Sequence, residues 1–231
     1  MDTEVDTEIK RALVIGAGSG IGAATATALA GAGFEVLGSR SDRDATDPGE
    51  VAALFEEADP DLVVLTAGTR PTMATIDEQS WESFSAAWNV DVKIAFEVGR
   101  AAIARPLRPG STVVIVASGA ALGGSPKSGG YAGAKRTQMF MADYLQQLAT
   151  ARELGIRFAA VAPQLVAGTV IAEVAASAYA AAGESTAEYM KRRFPAQLDA
   201  AGVADAILAL AAGEHPEATN LKVTAAGLSP V

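Results

Sequence analysis

The chain of 231 residues contains no cysteine and only one histidine, His215, which precedes a proline in a polar stretch. The absence of cysteine excludes disulfides, thiolate chemistry and cysteine-based zinc sites. A single imidazole cannot build a metal site by itself. We therefore predict no metal centre, and we interpret His215 as a surface loop residue.

Long apolar runs and an excess of positive charge are also missing. The uncharged stretch around residues 111–126 is broken by serines and glycines, whereas a membrane span needs about 20 mostly apolar residues. The first eight residues are acidic, where a secretory signal needs a basic and then an apolar segment. The formal charge of −9 repels nucleic acid and anionic membranes. We expect a soluble, cytoplasmic protein without a nucleic-acid or membrane partner.

Short apolar runs alternate with segments of helical periodicity along the chain. Runs that stop at glycine or at polar residues are typical of buried parallel strands. The predicted strands are 12–15, 34–37, 62–65, 112–116, 156–161 and 221–224, and the main predicted helices are 21–30, 48–58, 78–104, 131–153 and 198–212. This alternation predicts βαβ units and an α/β fold with a doubly wound parallel sheet. We assign an acidic tail to residues 1–10 and a single domain to residues 11–231.

The first predicted strand runs into Gly16-Ala-Gly-Ser-Gly-Ile-Gly22 and then into the first helix. Glycines at 16, 20 and 22 permit a tight turn and a close backbone approach to a pyrophosphate, and the helix N-terminus favours negative charge. The intervening Ser19 and Ile21 belong to the same turn. The spacing alone is weak evidence, but its place between a strand and a helix favours dinucleotide binding over an ordinary turn.

The end of the second strand bears on which dinucleotide is bound. NAD-preferring sites place a carboxylate there to bind the ribose hydroxyl, whereas this chain has Ser39 followed by Arg40. An arginine can pair with the 2′-phosphate of NADP, and Arg43 could assist. We therefore predict NADP(H) rather than NAD(H). Asp44 could accept a hydrogen bond from the adenine amino group. Asp47 precedes a proline, and a role in capping the next helix or in a turn is almost equally favoured for it.

A second group of polar residues carries a possible proton-transfer site. Tyr131 and Lys135 are four residues apart at the start of a helix and so share one face. Ser118 ends the preceding strand, and Asn89 lies within a predicted helix. Carbonyl reduction needs a proton donor at the oxygen, and an ammonium beside a phenol stabilises the phenolate by about 4 kcal/mol at ~4 Å and an effective dielectric of 20.

In their order along the chain, these motifs resemble the short-chain dehydrogenase/reductase family over essentially the whole length after the tail. The resemblance implies a Rossmann-type fold and a catalytic tetrad of Asn89, Ser118, Tyr131 and Lys135. Tyr131 would be the acid/base, Ser118 would orient the substrate oxygen, and Asn89 would hold a water that links Lys135 to solvent. The family's Asn-Asn-Ala-Gly motif is represented by Thr66, Ala67 and Gly68, and the last two are predicted cofactor contacts together with Tyr131 and Lys135.

One segment departs from the family pattern. After the family's sixth strand a Pro-Gly pair normally precedes a threonine that contacts the nicotinamide, whereas here Pro163-Gln164 is followed by Thr169, one residue late. We predict cofactor contacts from Pro163 and from the backbone of Val166. The following Ala-rich segment, about 168–198, is predicted to be a lid over a small or medium, mainly apolar ketone or secondary alcohol, although the same pattern fits ordinary packing.

Several functions remain open. The favoured one is an NADP-dependent oxidoreductase acting on a small-molecule carbonyl or alcohol. The alternative is a 3-oxoacyl-carrier reductase, which would use the cationic run Lys191-Arg-Arg193 to bind an acidic carrier. A solvated helix face is the better explanation of these three cations. A non-catalytic NADP-binding regulator would carry a broken tetrad. By resemblance we also expect a homodimer or homotetramer, formed through the helices at 78–104 and 131–153.

Overall fold

The computed structural model describes residues 10–231, so the predicted acidic tail lies outside the described residues apart from Lys10. One seven-stranded sheet runs through the described chain in the order β2-β1-β3-β4-β5-β6-β7. The strands are β1 (Arg11–Ile15), β2 (Glu35–Ser39), β3 (Leu62–Leu65), β4 (Thr112–Val116), β5 (Arg157–Pro163), β6 (Asn220–Thr224) and β7 (Gly227–Pro230). All pairings are parallel except that of β6 with β7.

Helices connect the parallel strands and cover both faces of the sheet. They are α1 (Gly20–Gly31), α2 (Pro48–Ala58), α3 (Trp81–Ala87), α4 (Lys93–Ala104), α5 (Ala120–Gly123), α6 (Gly129–Ala151), α7 (Val170–Tyr179), α8 (Thr186–Arg193) and α9 (Ala200–Ala211). A 3₁₀ turn occupies Ile76–Glu78, and a π-helical turn, Trp88–Val92, joins α3 to α4. No helix within this part of the chain is long and apolar enough to cross a membrane.

Alternate residues of each central strand enter opposite cores. Leu13, Val63 and Val113 face one core, which α2, α4 and α6 complete, whereas Val14 and Val64 face the other, which α1 and α9 complete. Because both faces are covered, the central strands β1, β3, β4 and β5 are near-continuous apolar runs. The predicted α/β fold with a doubly wound, Rossmann-type sheet is confirmed.

The structure differs from the predicted elements at two main places. The helix predicted over 78–104 is divided by the π-helical turn and begins at Trp81. The strand β7 was not predicted; its antiparallel pairing with β6 across a short turn closes that edge of the sheet. In agreement with the sequence, the segment between Ser39 and Pro48 contains neither helix nor strand, and the strand order makes β2 the other edge of the sheet.

The strand order fixes where a ligand can bind. From β1 the chain passes to β2 on one side and then returns to β3 on the other, so the connections diverge between β1 and β3. A crevice opens outside the carboxyl ends of parallel strands at such a point. The glycine turn follows β1, and Thr66-Ala-Gly68 follows β3, so both motifs lie at this crevice.

Candidate active site

A cleft of about 1020 Å³ lies at the carboxyl ends of the parallel strands. Its volume is at the upper end of the range typical of cofactor and ligand sites. Of the predicted site residues, those that line it are Gly16, Ser19, Gly20, Ile21, Gly22, Ser39, Arg40, Asp44, Ala67, Gly68, Ser118, Tyr131, Lys135, Pro163 and Val166. The structure therefore brings together every predicted site residue except Asn89.

The glycine turn is built by close backbone packing. Gly16 has a φ of +99°, and a Cβ there would lie 2.5 Å from the Ala67 nitrogen. A Cβ on Gly22 would overlap the carbonyl oxygen of Gly16. Ser19, the residue before α1, has an extended backbone, and its side chain does not cap the helix. The first N–H groups of α1 are therefore not capped by Ser19, and the turn fits the phosphates of a dinucleotide.

Ser39 and Arg40 lie directly beside this turn. The buried Ser39 accepts hydrogen bonds at its carbonyl from the nitrogens of Gly16 and Ala17, at 3.1 and 2.8 Å. Arg40 is exposed at the cleft and forms no ion pair within the described residues. Its Cγ would be 3.8 Å from a Cβ on Gly18, which places it against the glycine turn. Arg40 is thus a cation available to a ligand at this end of the cleft.

The other charged residues of this loop have partners in the protein. Arg43 forms ion pairs with Glu50 at 2.6 Å and Glu57 at 3.2 Å, so its charge is already compensated. Asp44 accepts from the backbone and side chain of Thr46, and these hydrogen bonds lower the pKa of its carboxyl. Asp47 caps α2 through the nitrogens of Gly49 and Glu50. The structure thus shows the capping role for Asp47.

Ser118, Tyr131 and Lys135 line the same cleft, and Lys135 Nζ lies 3.5 Å from the Val116 carbonyl at the end of β4. Ser118 follows β4, and its hydroxyl accepts from the nitrogen of Ala120 at 3.2 Å. Tyr131 and Lys135 lie in the first two turns of α6, and both are buried. The Lys135 ammonium is 5.7 Å from the centre of the Tyr131 ring. This arrangement places a phenol, a hydroxyl and an ammonium on one wall.

Asn89 is separated from these three residues. It is exposed, it does not line the cleft, and its amide donates to the Ser85 hydroxyl at 3.3 Å. The π-helical turn adds a residue to the helix and rotates Asp91, not Asn89, toward the cleft. A regular helical period cannot reveal such a turn. One signal was available: Asp91 interrupts an otherwise apolar, buried stripe that includes Ala87, Ala95 and Val98.

Asp91 belongs to a buried polar network around Lys135. Its Oδ1 accepts from the Thr69 nitrogen at 2.7 Å, and its Oδ2 lies 3.1 Å from Lys135 Nζ. Lys135 Nζ donates to Gln138 Oε1 at 3.0 Å, and Gln138 Nε2 donates to the Asp91 carbonyl at 2.9 Å. The Asp91–Lys135 contact is ionic and not a well-aligned hydrogen bond, since Oδ2 has no hydrogen-bond donor among the described residues. The predictions had included neither Asp91 nor Gln138.

The segment after β5 turns back across the cleft. Val166 pairs with Leu198 in an isolated parallel bridge, and the Ala167 nitrogen donates to the Leu198 carbonyl at 2.9 Å. The predicted lid thus begins and ends side by side. Thr169 caps α7 and donates to the Val166 carbonyl at 2.8 Å. Its methyl group would lie 3.7 Å from a Cβ on Gly20, so the start of α7 faces the glycine turn.

The far end of α7 is attached to the loop that precedes α6. The Tyr179 hydroxyl contacts Ser125 Oγ and accepts from the Lys127 nitrogen at 3.1 Å. Lys127 Nζ donates to the Ala178 carbonyl at 2.8 Å and lies over the Tyr179 ring. We call these contacts of Ser125, Lys127 and Tyr179 the lid clasp. It joins the lid to the segment that leads directly into Tyr131.

The comparisons with known proteins agree with this geometry. A family model described as "Enoyl-(Acyl carrier protein) reductase" matches residues 40–223. An uncharacterized short-chain type dehydrogenase/reductase of Sinorhizobium fredii is 33% identical over 165 residues, which are 71% of this chain and 28% of that protein. The chain therefore spans less than a third of the length of this curated relative.

Solved structures share the fold at low sequence identity. A 3-ketoacyl-(acyl-carrier-protein) reductase from Brucella melitensis, complexed with NADH, is 20% identical with a TM-score of 0.76 over 93% of this chain and 96% of that one. The aldohexose dehydrogenase of Thermoplasma acidophilum, in ligand-free form, is also 20% identical, with a TM-score of 0.77 and coverages of 94% and 93%. At this identity the likeness concerns the fold. Together with the family match over most of the chain, it leads to one conclusion: the protein belongs to the short-chain dehydrogenase/reductase family of oxidoreductases.

Proposed function

We propose that the protein is an NADP(H)-dependent oxidoreductase that interconverts a small or medium, mainly apolar ketone and its secondary alcohol. The observation that carries this proposal is the convergence of Ser118, Tyr131 and Lys135 with the glycine turn in one cleft. A dinucleotide site and a proton donor in the same cleft are what carbonyl reduction requires.

The residues at the cofactor end fit a dinucleotide. Gly16, Gly20 and Gly22 leave a space free of Cβ atoms at the N-terminus of α1, where a pyrophosphate is stabilised. Ala67, Gly68, Pro163 and Val166 line the same cleft, where the last two would contact the nicotinamide. Because Arg40 has no acidic partner among the described residues and Ser39 offers no carboxylate, this end favours the additional phosphate of NADP.

The catalytic chemistry follows from the other wall. When bound, the nicotinamide supplies or accepts the hydride at the carbonyl carbon. Tyr131 donates its phenolic proton to the substrate oxygen in reduction and removes the alcohol proton in oxidation. Ser118 hydrogen-bonds the same oxygen and orients the carbonyl, and the ammonium of Lys135 stabilises the phenolate that remains.

The walls around Tyr131 favour an apolar substrate. Tyr131 packs with Ala87 and Ala134, and the side chains of Met73 and Ile171 lie against this cluster. Val170 and Ile171 at the start of α7 line the cleft, so the segment of about 168–198 would close an apolar surface over the substrate.

A second candidate, reduction of carrier-bound 3-oxo thioesters, is suggested by the matching family model, whose description names an acyl carrier protein, and by the 3-ketoacyl-(acyl-carrier-protein) reductase that shares the fold. It would require Lys191, Arg192 and Arg193 at the end of α8 to meet an acidic carrier. Arg192 is already paired with Glu184 at 2.7 Å, and this hydrogen-bonded ion pair lowers the pKa of the Glu184 carboxyl to about 2. Reversing the charge of the two remaining cations, by Lys191→Glu and Arg193→Glu, should reduce carrier-bound turnover specifically if this candidate holds.

The exposed apolar side chains on one side of the molecule support a homodimer or homotetramer. Trp88, Phe96, Phe140 and Tyr144, on the π-helical turn, α4 and α6, are each at least 40% exposed. Exposed aromatic clusters of this kind are characteristic of protein interfaces. We propose self-association through this face in a cytoplasmic enzyme, which light scattering of Phe96→Ser and Tyr144→Ser variants would test.

The experiment for the main proposal is consumption of NADPH and NADH against ketones, diketones, quinones and 3-oxo thioesters. We expect turnover of the ketones with NADPH and much weaker turnover with NADH. Preference for NADH would refute the NADP assignment, whereas turnover restricted to carrier-bound thioesters would support the second candidate.

A further inference from the structure

The buried carboxylate of Asp91 has no role in the chemistry described so far. It is 1% exposed and lies in direct ionic contact with Lys135, the side chain proposed to stabilise the Tyr131 phenolate. A carboxylate is rarely buried so completely without a compensating function or partner, because its desolvation is costly. Lys135 is the partner that compensates this buried charge.

The surrounding residues are arranged to accept this carboxylate. Gly68 leaves the space that Asp91 occupies, because a Cβ there would lie 2.8 Å from Oδ2. The Thr69 nitrogen fixes Oδ1, and Gln138, which is fully buried, links the Asp91 carbonyl to Lys135 Nζ. These contacts come from the loop after β3 and from α6, so the side chain is held from two directions.

We propose that Asp91 is a positioning residue that holds Lys135 at the catalytic wall and offsets part of its positive charge. This inference rests on the proposed acid/base role of Tyr131. With the carboxylate present, the phenolate of Tyr131 forms beside a lysine whose charge is partly neutralised. Removing the carboxylate should therefore strengthen the stabilisation that Lys135 gives to the phenolate.

The remaining charged groups of the cleft are the same in every variant proposed below. Arg70, after β3, lines the cleft, and Arg40, Arg43 and Asp44 line its adenine end. Within the described residues that line it, β4, β5 and α7 contribute no charged side chain. The carboxylate of Asp91 is thus the acidic group in ionic contact with Lys135, and its effect can be isolated.

The matched substitution is Asp91→Asn, which keeps an oxygen to accept from the Thr69 nitrogen and replaces the charged oxygen that faces Lys135 with a neutral amide nitrogen. Gln138→Leu removes a neutral acceptor from Lys135 and keeps the carboxylate. Asp143→Asn removes a carboxylate two turns further along α6 and controls for net charge. Thermal unfolding establishes that each variant is folded.

The test follows the ionisation of Tyr131 by NMR in protein labelled at the ζ carbon of tyrosine, with Tyr131→Phe to assign its signal among four tyrosines. The NMR titration needs no cofactor or substrate, so its result can be interpreted even if the proposed activity is wrong. We expect the Tyr131 titration to move about one pH unit lower in Asp91→Asn. It should move less in Gln138→Leu and stay unchanged in Asp143→Asn. In the active enzyme, the pH limb of kcat/KM assigned to Tyr131 should shift by the same amount. An unchanged titration in Asp91→Asn, or an equal shift in Gln138→Leu, would overturn the proposal.

Discussion

At the glycine turn, the site depends on the absence of side chains, whereas around Lys135 it depends on contacts between side chains. Gly16 and Gly22 allow two backbone segments to touch, and no side-chain hydrogen bond from Ser19 caps α1. At the other end, Lys135 is held by Asp91 and Gln138, which come from separate parts of the chain.

This contrast explains how the two ends should respond to substitution. Added atoms should damage the glycine turn, because the backbone has no room to move. Loss of a single functional atom should damage the catalytic wall while leaving the cofactor end intact. Each of the following variants tests one side of that contrast.

The largest effect is expected for Tyr131→Phe. The substitution removes only the phenolic oxygen, so the proton donor is lost and kcat should fall about 10³-fold. Binding of NADPH, followed by fluorescence titration, should change less than threefold. Substantial turnover by this variant would show that another group donates the proton.

Gly22→Ala should act at the opposite end of the cleft. Because the new methyl group would overlap the Gly16 carbonyl, the turn must open, and the affinity for NADPH should fall about 100-fold. Gly31→Ala on the same helix is the control, since a Cβ there meets no neighbouring atom within 4 Å. Equal affinities in the two variants would contradict the close-packed description of the turn.

Arg40→Ala should separate the two dinucleotides. Loss of a charge-assisted contact with the 2′-phosphate should raise the KM for NADPH by roughly 10-fold or more and leave that for NADH nearly unchanged. Arg43→Ala provides the comparison, because Glu50 and Glu57 already bind that guanidinium. A parallel loss for both dinucleotides would remove Arg40 from cofactor selection.

The smallest effect is expected for Tyr179→Phe, which removes the hydroxyl from the lid clasp. The lid should open more readily, and kcat and KM should change together by about two- to fivefold. Tyr144→Phe, at a position of α6 that does not line the cleft, should leave both constants unchanged. If KM and kcat of Tyr179→Phe match the wild type, the clasp does not control the lid.

The sequence predicted the glycine turn well because its requirements are local. A strand, a turn of fixed glycine spacing and a helix are consecutive in the chain, so Gly16, Gly20 and Gly22 could be identified without tertiary information. Tyr131 and Lys135 could be paired for the same reason, since a helical spacing of four places them on one face.

Asn89 shows where such reasoning fails. One added residue in the π-helical turn changes which side chain faces the cleft, and helical periodicity cannot register that shift. The contacts of Asp91 with Thr69 and Gln138 depend on residues 22 and 47 positions away along the chain. The antiparallel β7 was missed because its four residues, Gly227–Pro230, lack an apolar run.

Deuterium transfer from the nicotinamide to a ketone is a direct measurement of the proposed oxidoreductase activity. Wild-type protein would be incubated with NADPH deuterated on either face of C4 and with each ketone of the panel, and the products analysed by mass spectrometry. We expect deuterium at the carbinol carbon from one face only, and none above background with Tyr131→Phe. Tight NADPH binding without deuterium in any product would contradict it and would favour a cofactor-binding regulator.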